Sequence, residues 1–418
     1  MNDIKMFMDE KGRVKVWAAK KEMKFELLKY ISTKFESGRF YSEKEVNLLI
    51  EYWHTFGDYF LIRRELINNR LLSRTKSGSR YWKEERDISK DIIDIIEMNY
   101  DIGSVNSIFR ISEGYGSHTY YVLSDKGEYI FKDIEQDPMN HPENESLIIS
   151  ELRDNGIPVS ELYPTRNGDY LLLTGIKTCH LQKYIEGKIY NRNSAPQWLL
   201  FESARVLGKI HKTLERLPRL PIGISQNFFD YMTPQKAQIS YSSTLKMANE
   251  RKDADIIDAI KCKTEILDAF VSLRFDVSKM TCKNTHGDYK INQIICSKEK
   301  INAVIDFTSA CVHPVCWEII RSYSLTDDEC IEGKINIENF KKYIASYLEY
   351  ASLKSYDFKI MPYMYFYQNL VSDYFSQYYV SENKNKHKLL DDALFSVKLC
   401  KWFEYNIVKL ENALTSGF

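Results

Sequence analysis

Two aspartates offer the clearest chemistry in this chain. Asp288 stands in His286-Gly287-Asp288-Tyr289-Lys290-Ile291-Asn292-Gln293-Ile294-Ile295, and Asp306 follows in Val304-Ile305-Asp306-Phe307. Short apolar runs between them read as a hairpin, which puts one acid on a loop and the second just beyond a buried strand. That layout suits phosphoryl transfer, in which one carboxylate orients and deprotonates a hydroxyl while another holds the magnesium that bridges ATP phosphates. Losing such a base costs about 10²–10⁴ in rate. An acid after Ala303-Val304-Ile305 is expensive to bury unless a cation or hydrogen bonds compensate it. His286 is read as a brace for the loop, because no serine or cysteine nucleophile signature accompanies it.

The elements that must position these acids begin near residue 99. Val105 to Ile111, Thr119 to Leu123 and Tyr129 to Ile134 are strand-like, rich in β-branched and aromatic residues and separated by glycine turns. A helix is predicted from Glu143 to Asn155, ended by Gly156 and Pro158. Strands near Glu161 to Thr165 and Tyr170 to Leu173 complete a small sheet. Beyond Gly187 the pattern is mainly helical apart from the hairpin, and the aromatic run Met361 to Val380 is predicted as one packed helix.

Ahead of this lies a self-contained region, residues 1–86. Lys21 to Phe35 has helical periodicity, Ser42-Glu43-Lys44-Glu45 is a capping box, and Tyr59 to Asn69 forms a further helix with Arg63 and Arg64 outward. Leu71 to Arg74 and Ser79 to Trp82 flank a glycine-bearing turn and make a hairpin. Three helices and a hairpin is a winged-helix-like layout. Residues 1–82 hold 17 basic and 11 acidic side chains, an excess of about six positive charges. Residues 87–98 read as a charged amphipathic connector.

The 418-residue chain has a formal net charge of zero, so it is no polycation built for nucleic acid as a whole. Its 29 Tyr and 21 Phe imply an aromatic-packed core. Eight cysteines without Cys-x-x-Cys or paired-His spacing argue against a zinc site or disulfide framework and for a reducing cytoplasm. No secretory signal and no membrane span are expected.

The order of glycine-containing strand turn, strand lysine, helix glutamate, His-Gly-Asp loop and Ile-Asp-Phe resembles the aminoglycoside phosphotransferase family, over about residues 100–330. The resemblance implies an α+β, protein-kinase-like bilobal fold: an antiparallel-sheet lobe at 99–185 and a larger helical lobe at 186–418. It further implies Mg²⁺ and ATP or GTP as co-substrate. In that family the turn holding Gly116 and Ser117 covers the nucleotide, although such a turn alone is also an ordinary hairpin. Lys132 would contact the α- and β-phosphates, and the competing reading is a strand-end surface lysine. Glu145, with Glu143 as rival, would pair with Lys132. The backbone of Lys183 and Ile185 would read the base at a hinge, Asp288 would be catalytic, and Asp306 would bind metal. Gln293 stands where the family has a metal-binding asparagine, with the same amide oxygen on a longer stem. Glu318 is expected to pair with Arg321 or a loop amide, and His211 to pack.

Residues 20–83 resemble a small uncharacterised bacterial domain found with transcriptional regulators, through Tyr41-Ser42-Glu43-Lys44-Glu45-Val46-Asn47, Arg63-Arg64-Glu65-Leu66 and Gly78-Ser79-Arg80-Tyr81-Trp82. The main expectation is a cytoplasmic kinase with a nucleoside triphosphate and a small-molecule hydroxyl acceptor as partners. Asp327, Asp328, Glu329, Glu332, Asp391 and Asp392 are available to meet an acceptor or are solvated helix ends. The alternative is a DNA-binding regulator whose kinase-like domain senses a nucleotide or metabolite; a third is a protein-contact role for the N-terminal domain. Arg63, Arg64 and Arg80 are the candidate phosphate contacts, against the competing reading of a solvated face.

Overall fold

The computed structural model describes residues 4–84, 90–111, 117–134, 141–175, 177–381 and 386–418. The chain forms two compact units: Met1–Gln136 with Leu162–Tyr184, and Asp137–Glu161 with Ile185–Phe418.

In the first unit, helices α1 (Lys21–Ser32), α2 (Glu43–Trp53) and α3 (Tyr59–Asn68) precede a hairpin of β1 (Leu72–Arg74) and β2 (Tyr81–Lys83). The Ser42/Glu45 capping box is present: Ser42 Oγ accepts from the Glu45 amide, and the Glu45 carboxylate accepts from the Ser42 amide. Leu27, Leu28, Ile31, Val46, Ile50, Ile62 and Leu66 fill the small core. Helix α4 (Lys90–Asn99) follows, then β3 (Val105–Ile111), β4 (Ser117–Ser124), β5 (Gly127–Ile134), β6 (Leu162–Tyr163), β7 (Leu172–Thr174) and β8 (Lys177–Lys183). These six strands form one antiparallel sheet in the order β3-β4-β5-β8-β6, with β7 also on β8.

Side chains alternate across a strand, so the sheet has two distinct faces. Tyr120, Val122, Tyr129, Phe131 and Leu181 pack against Ile96 of α4 and Tyr100. The described part of the expected connector is therefore a sheet-covering helix. Phe109 and Tyr121, on the other face, pack with Trp82 from β2.

In the second unit, α5 (Glu145–Asp154) precedes β9 (Lys188–Ile189), α6 (Gln197–Leu214), α7 (Phe228–Tyr231), α8 (Pro234–Arg251) and α9 (Ala254–Ala269). Strands β10 (Cys282–Thr285), β11 (Ile294–Ser297), β12 (Lys300–Val304) and β13 (Cys311–Pro314) come next. They pair as β10-β13 and as β12-β11-β9. Helices α10 (Val315–Thr326), α11 (Ile337–Leu348), α12 (Ser355–Val371), α13 (Tyr374–Val380) and α14 (His387–Thr415) complete the unit.

The single helix expected over Met361 to Val380 is two, because Ser372 is extended (ψ 142°). The carbonyls freed at this break are satisfied from the core. Tyr241 Oη donates to Leu370 O and Ser372 O at 2.7 and 2.9 Å, and Lys263 Nζ donates to Ser372 O at 3.0 Å. All eight cysteines are free thiols. Among the described residues no helix is long and apolar enough to cross a membrane.

Candidate active site

The His-Gly-Asp loop is built around a close backbone approach. Gly287 has φ +82°, and a Cβ there would lie 1.8 Å from the Ser309 carbonyl oxygen, so only glycine fits. His286 is fully buried and ties the two acidic segments together. Its Nε2 lies 3.1 Å from Ile305 O, its Nδ1 accepts from the Asp288 amide at 3.3 Å, and its ring lies 4.4 Å from that of Phe307. It braces the loop, as the sequence suggests.

Asp288 and Asp306 converge. The Gln293 amide nitrogen reaches Asp288 Oδ2 and Asp306 Oδ2, each at 3.2 Å. Asp306 has φ +72°, a conformation that β-carbon residues adopt at a cost of about 1–3 kcal/mol. Thr308 Oγ1 donates to its Oδ1 at 3.0 Å, and the neighbouring Phe307 amide donates to Glu145 Oε1 at 3.0 Å. Helix α5 is further tied to this segment through Pro158 O, which accepts from the Val304 amide at 2.9 Å. Glu145 is buried, whereas the rival Glu143 is exposed beside His141.

Two cations flank Asp288: Arg321 Nη2 at 2.6 Å from Oδ1 and Lys290 Nζ at 2.7 Å from Oδ2. Burial works against the charged carboxylate, but these two cations outweigh it and hold Asp288 below the usual aspartate range. The group is thus ionised at neutral pH and a weak base, better suited to aligning a hydroxyl than to removing its proton early. Of the two partners expected for Glu318, Arg321 is taken by Asp288, and the loop amide is the one found. Glu318 turns inward. His211 Nε2 lies 2.8 Å from its Oε2, and the Tyr289 amide donates to its Oε1 at 3.3 Å. Burial alone would raise the Glu318 pKa, yet His211 and the other nearby imidazoles hold it low. His211 is therefore more than packing: it pairs with the acid that supports the loop.

Two carboxylates and a side-chain amide form a hard, oxygen-bearing donor set. Which end of the Gln293 amide faces the acids is set by whatever lies between them, since its O and N differ little in shape. Among the described residues no group of three or more His, Cys, Asp or Glu could hold a metal. Magnesium needs no such cage, because one or two carboxylates and a nucleotide's phosphates complete its shell. The residues present fit that ion.

In the first unit Lys132 is 8% exposed on β5, opposite Thr119 of β4 and His180 of β8. It is thus no exposed surface lysine. Lys183 ends β8, and Ile185 begins the second stretch of the second unit, Ile185–Phe418. Gly116 lies outside the described residues, and Ser117 begins β4. Of the arginines proposed for nucleic acid, Arg63 is not outward: only 14% of its side chain is exposed, and it bonds Glu43 and Asn47 at 2.7 and 2.6 Å. Arg80 pairs with Glu128 at 2.5 Å and lies over Tyr184, its guanidinium 4.6 Å from the ring. Both are turned to protein partners, and only Arg64 is well exposed. Among the acids considered for an acceptor, Asp327 is buried beneath Tyr323 and caps Glu329, while Asp392 pairs with Arg192.

A family model described as the phosphotransferase enzyme family matches residues 107–336. Another, described as an uncharacterised protein conserved in bacteria, matches residues 13–83. The homoserine kinase of Zymomonas mobilis is 23% identical over 239 residues, covering 56% of this chain and 69% of that protein. Among solved structures, an aminoglycoside phosphotransferase from Alicyclobacillus acidocaldarius aligns with a TM-score of 0.54 at 11% identity, covering 79% of this chain and 98% of its own. A microcompartment-associated aminopropanol kinase gives 0.53 at 15% identity, covering 77% and 99%. A spectinomycin phosphotransferase in complex with ADP and spectinomycin gives 0.50 at 16%, covering 80% and 100%. At such identities these structures speak for the fold, which is the α+β, protein-kinase-like one expected from the sequence.

Proposed function

The chain belongs to the phosphotransferase enzyme family, and we propose that this small-molecule kinase moves the γ-phosphate of ATP or GTP to a hydroxyl of its acceptor. The observation that carries this reading is the convergence of Asp288 and Asp306 on the Gln293 amide. Asp288, kept ionised by Arg321 and Lys290, would accept a hydrogen bond from the acceptor hydroxyl, align it for in-line attack and take its proton as the new P–O bond forms and the bond from the γ-phosphorus to the departing nucleoside diphosphate breaks. Asp306 and Gln293 would hold a magnesium ion, which when bound neutralises charge on the phosphate oxygens. Glu145 fixes the segment after Asp306 by accepting from the Phe307 amide. Lys132 would bind the α- and β-phosphates and pair with Glu145, Gly116 and Ser117 would cover the phosphates, and the backbone at Lys183 and Ile185 would read the base.

The likeness to a homoserine kinase and to an aminopropanol kinase favours a small amino alcohol among acceptor classes. Screening hydroxyl metabolites by coupled nucleotide consumption tests the reading. Wild type should turn over at least one acceptor, and Asp288→Ala should abolish that turnover while still binding nucleotide. Equal consumption by both proteins would refute the assignment.

A further inference from the structure

The N-terminal region touches the part of the first unit to which the proposed function assigns the nucleotide. Opposed residues in antiparallel strands share a face. Phe109 pairs with Tyr121, Tyr121 with Ile130, and Lys132 lies two residues beyond Ile130 on the same strand. Phe109, Tyr121, Ile130 and Lys132 therefore stand on one face of the sheet. Trp82 and Phe40, from the N-terminal region, pack onto that face. The Trp82 ring stacks on Phe109 at 5.6 Å and meets Tyr121 at 5.2 Å, and Phe40 lies 5.2 Å from Phe109 and 5.0 Å from Tyr121. Trp82 is fully buried, and its indole N–H donates to Ser107 Oγ at 3.0 Å.

A second contact reaches the end of β8. Tyr184 separates the two residues whose backbone is assigned to the base. Its ring lies 6.0 Å from Phe40 and 5.3 Å from Tyr121, and the Arg80 guanidinium sits over it. Arg80 also pairs with Glu128, whose carbonyl accepts from the Tyr184 amide at 3.1 Å. One hairpin of the N-terminal region thus grips both the sheet face beside Lys132 and the residue at the hinge position.

We propose that Trp82, Phe40 and Arg80 are positioning residues of the nucleotide site. The N-terminal region would then be a built-in wall of the nucleotide-binding half, with a binding role of its own in the kinase. This rests on the phosphotransfer reading. A planar base needs a flat apolar support held at fixed height, and Ile111 and Ile130 pack into the aromatic cluster. Removing the rings behind them lets that support and Tyr184 shift.

The test titrates magnesium–ATP into the full-length protein by calorimetry, with melting temperatures measured in parallel. Trp82→Ala and Phe40→Ala should weaken binding about tenfold, the scale of losing an aromatic contact, and raise the KM for ATP while kcat and the acceptor KM change little. Trp82→Phe should restore most of the affinity. Ile96→Ala, a buried change on the opposite face of the sheet, should lower the melting temperature without altering ATP affinity. Phe40→Leu serves if an alanine variant does not fold. Equal affinity in wild type and the Phe40 and Trp82 variants, or an equal loss in Ile96→Ala, would overturn the proposal and leave phosphotransfer standing. A wild type that binds no magnesium–ATP would overturn both.

Discussion

The loop around Asp288 and the junction around Trp82 are held by opposite means. At the loop, charge does the holding and strain is tolerated: Asp306 has positive φ, and Asp288 is pinned by Arg321 and Lys290 while a quarter of its side chain stays exposed. At the junction, Trp82, Phe109 and Tyr121 are fully buried and locked by ring packing. Side chains kept open at such cost are suited to reacting, whereas sealed ones are suited to setting a surface in place. Changes at the two regions should therefore separate chemistry from affinity and stability.

The largest separation is expected from Asp288→Ala. Turnover should fall by about 10²–10⁴ with little change in melting temperature, as steady-state kinetics and calorimetry would show. Trp82→Ala should invert that pattern, costing about 3–5 kcal/mol of stability in denaturant unfolding with little loss of kcat. If it abolished kcat at saturating ATP, the contrast would break. Gly287→Ala blurs the division, because its methyl meets the Ser309 backbone. A loss of about 1–3 kcal/mol together with reduced turnover is expected, and a neutral result would contradict the close approach seen there.

A smaller effect comes from His313, behind the loop. Burial lowers its pKa to about 4, and its Nδ1 accepts from the Ile224 amide at 2.9 Å. The unfolded chain, with an ordinary imidazole near 6.5, binds more protons between these values, so stability falls as pH drops from neutral towards 4. Between pH 7 and 5 that amounts to roughly 2 kcal/mol. A pH series of unfolding curves should show this slope in wild type and a flatter one in His313→Asn.

Much of the site's placement was legible in the sequence because it is local. The hairpin from Gln293 to Asp306 follows from its apolar alternation, β3 spans Val105–Ile111 as its β-branched pattern predicts, and the Ser42/Glu45 box starts α2. What escaped notice depends on partners distant in the chain. Nothing in Gly78-Ser79-Arg80-Tyr81-Trp82 tells which surface the tryptophan meets, and His211, which reads as a packing residue, pairs with Glu318 from 107 residues away. The break at Ser372 was hidden likewise, since its carbonyl is satisfied by Tyr241 and Lys263.

If Asp288 and Asp306 serve one nucleotide, the first in transfer and the second through magnesium, calorimetric titration of ATP with and without magnesium on wild type, Asp288→Ala and Asp306→Ala, with turnover read from the same samples, will separate their roles. Asp288→Ala should keep magnesium-dependent binding but lose turnover, and Asp306→Ala should lose the magnesium dependence itself. Binding indifferent to magnesium in wild type, or full turnover in either variant, would contradict that division of roles.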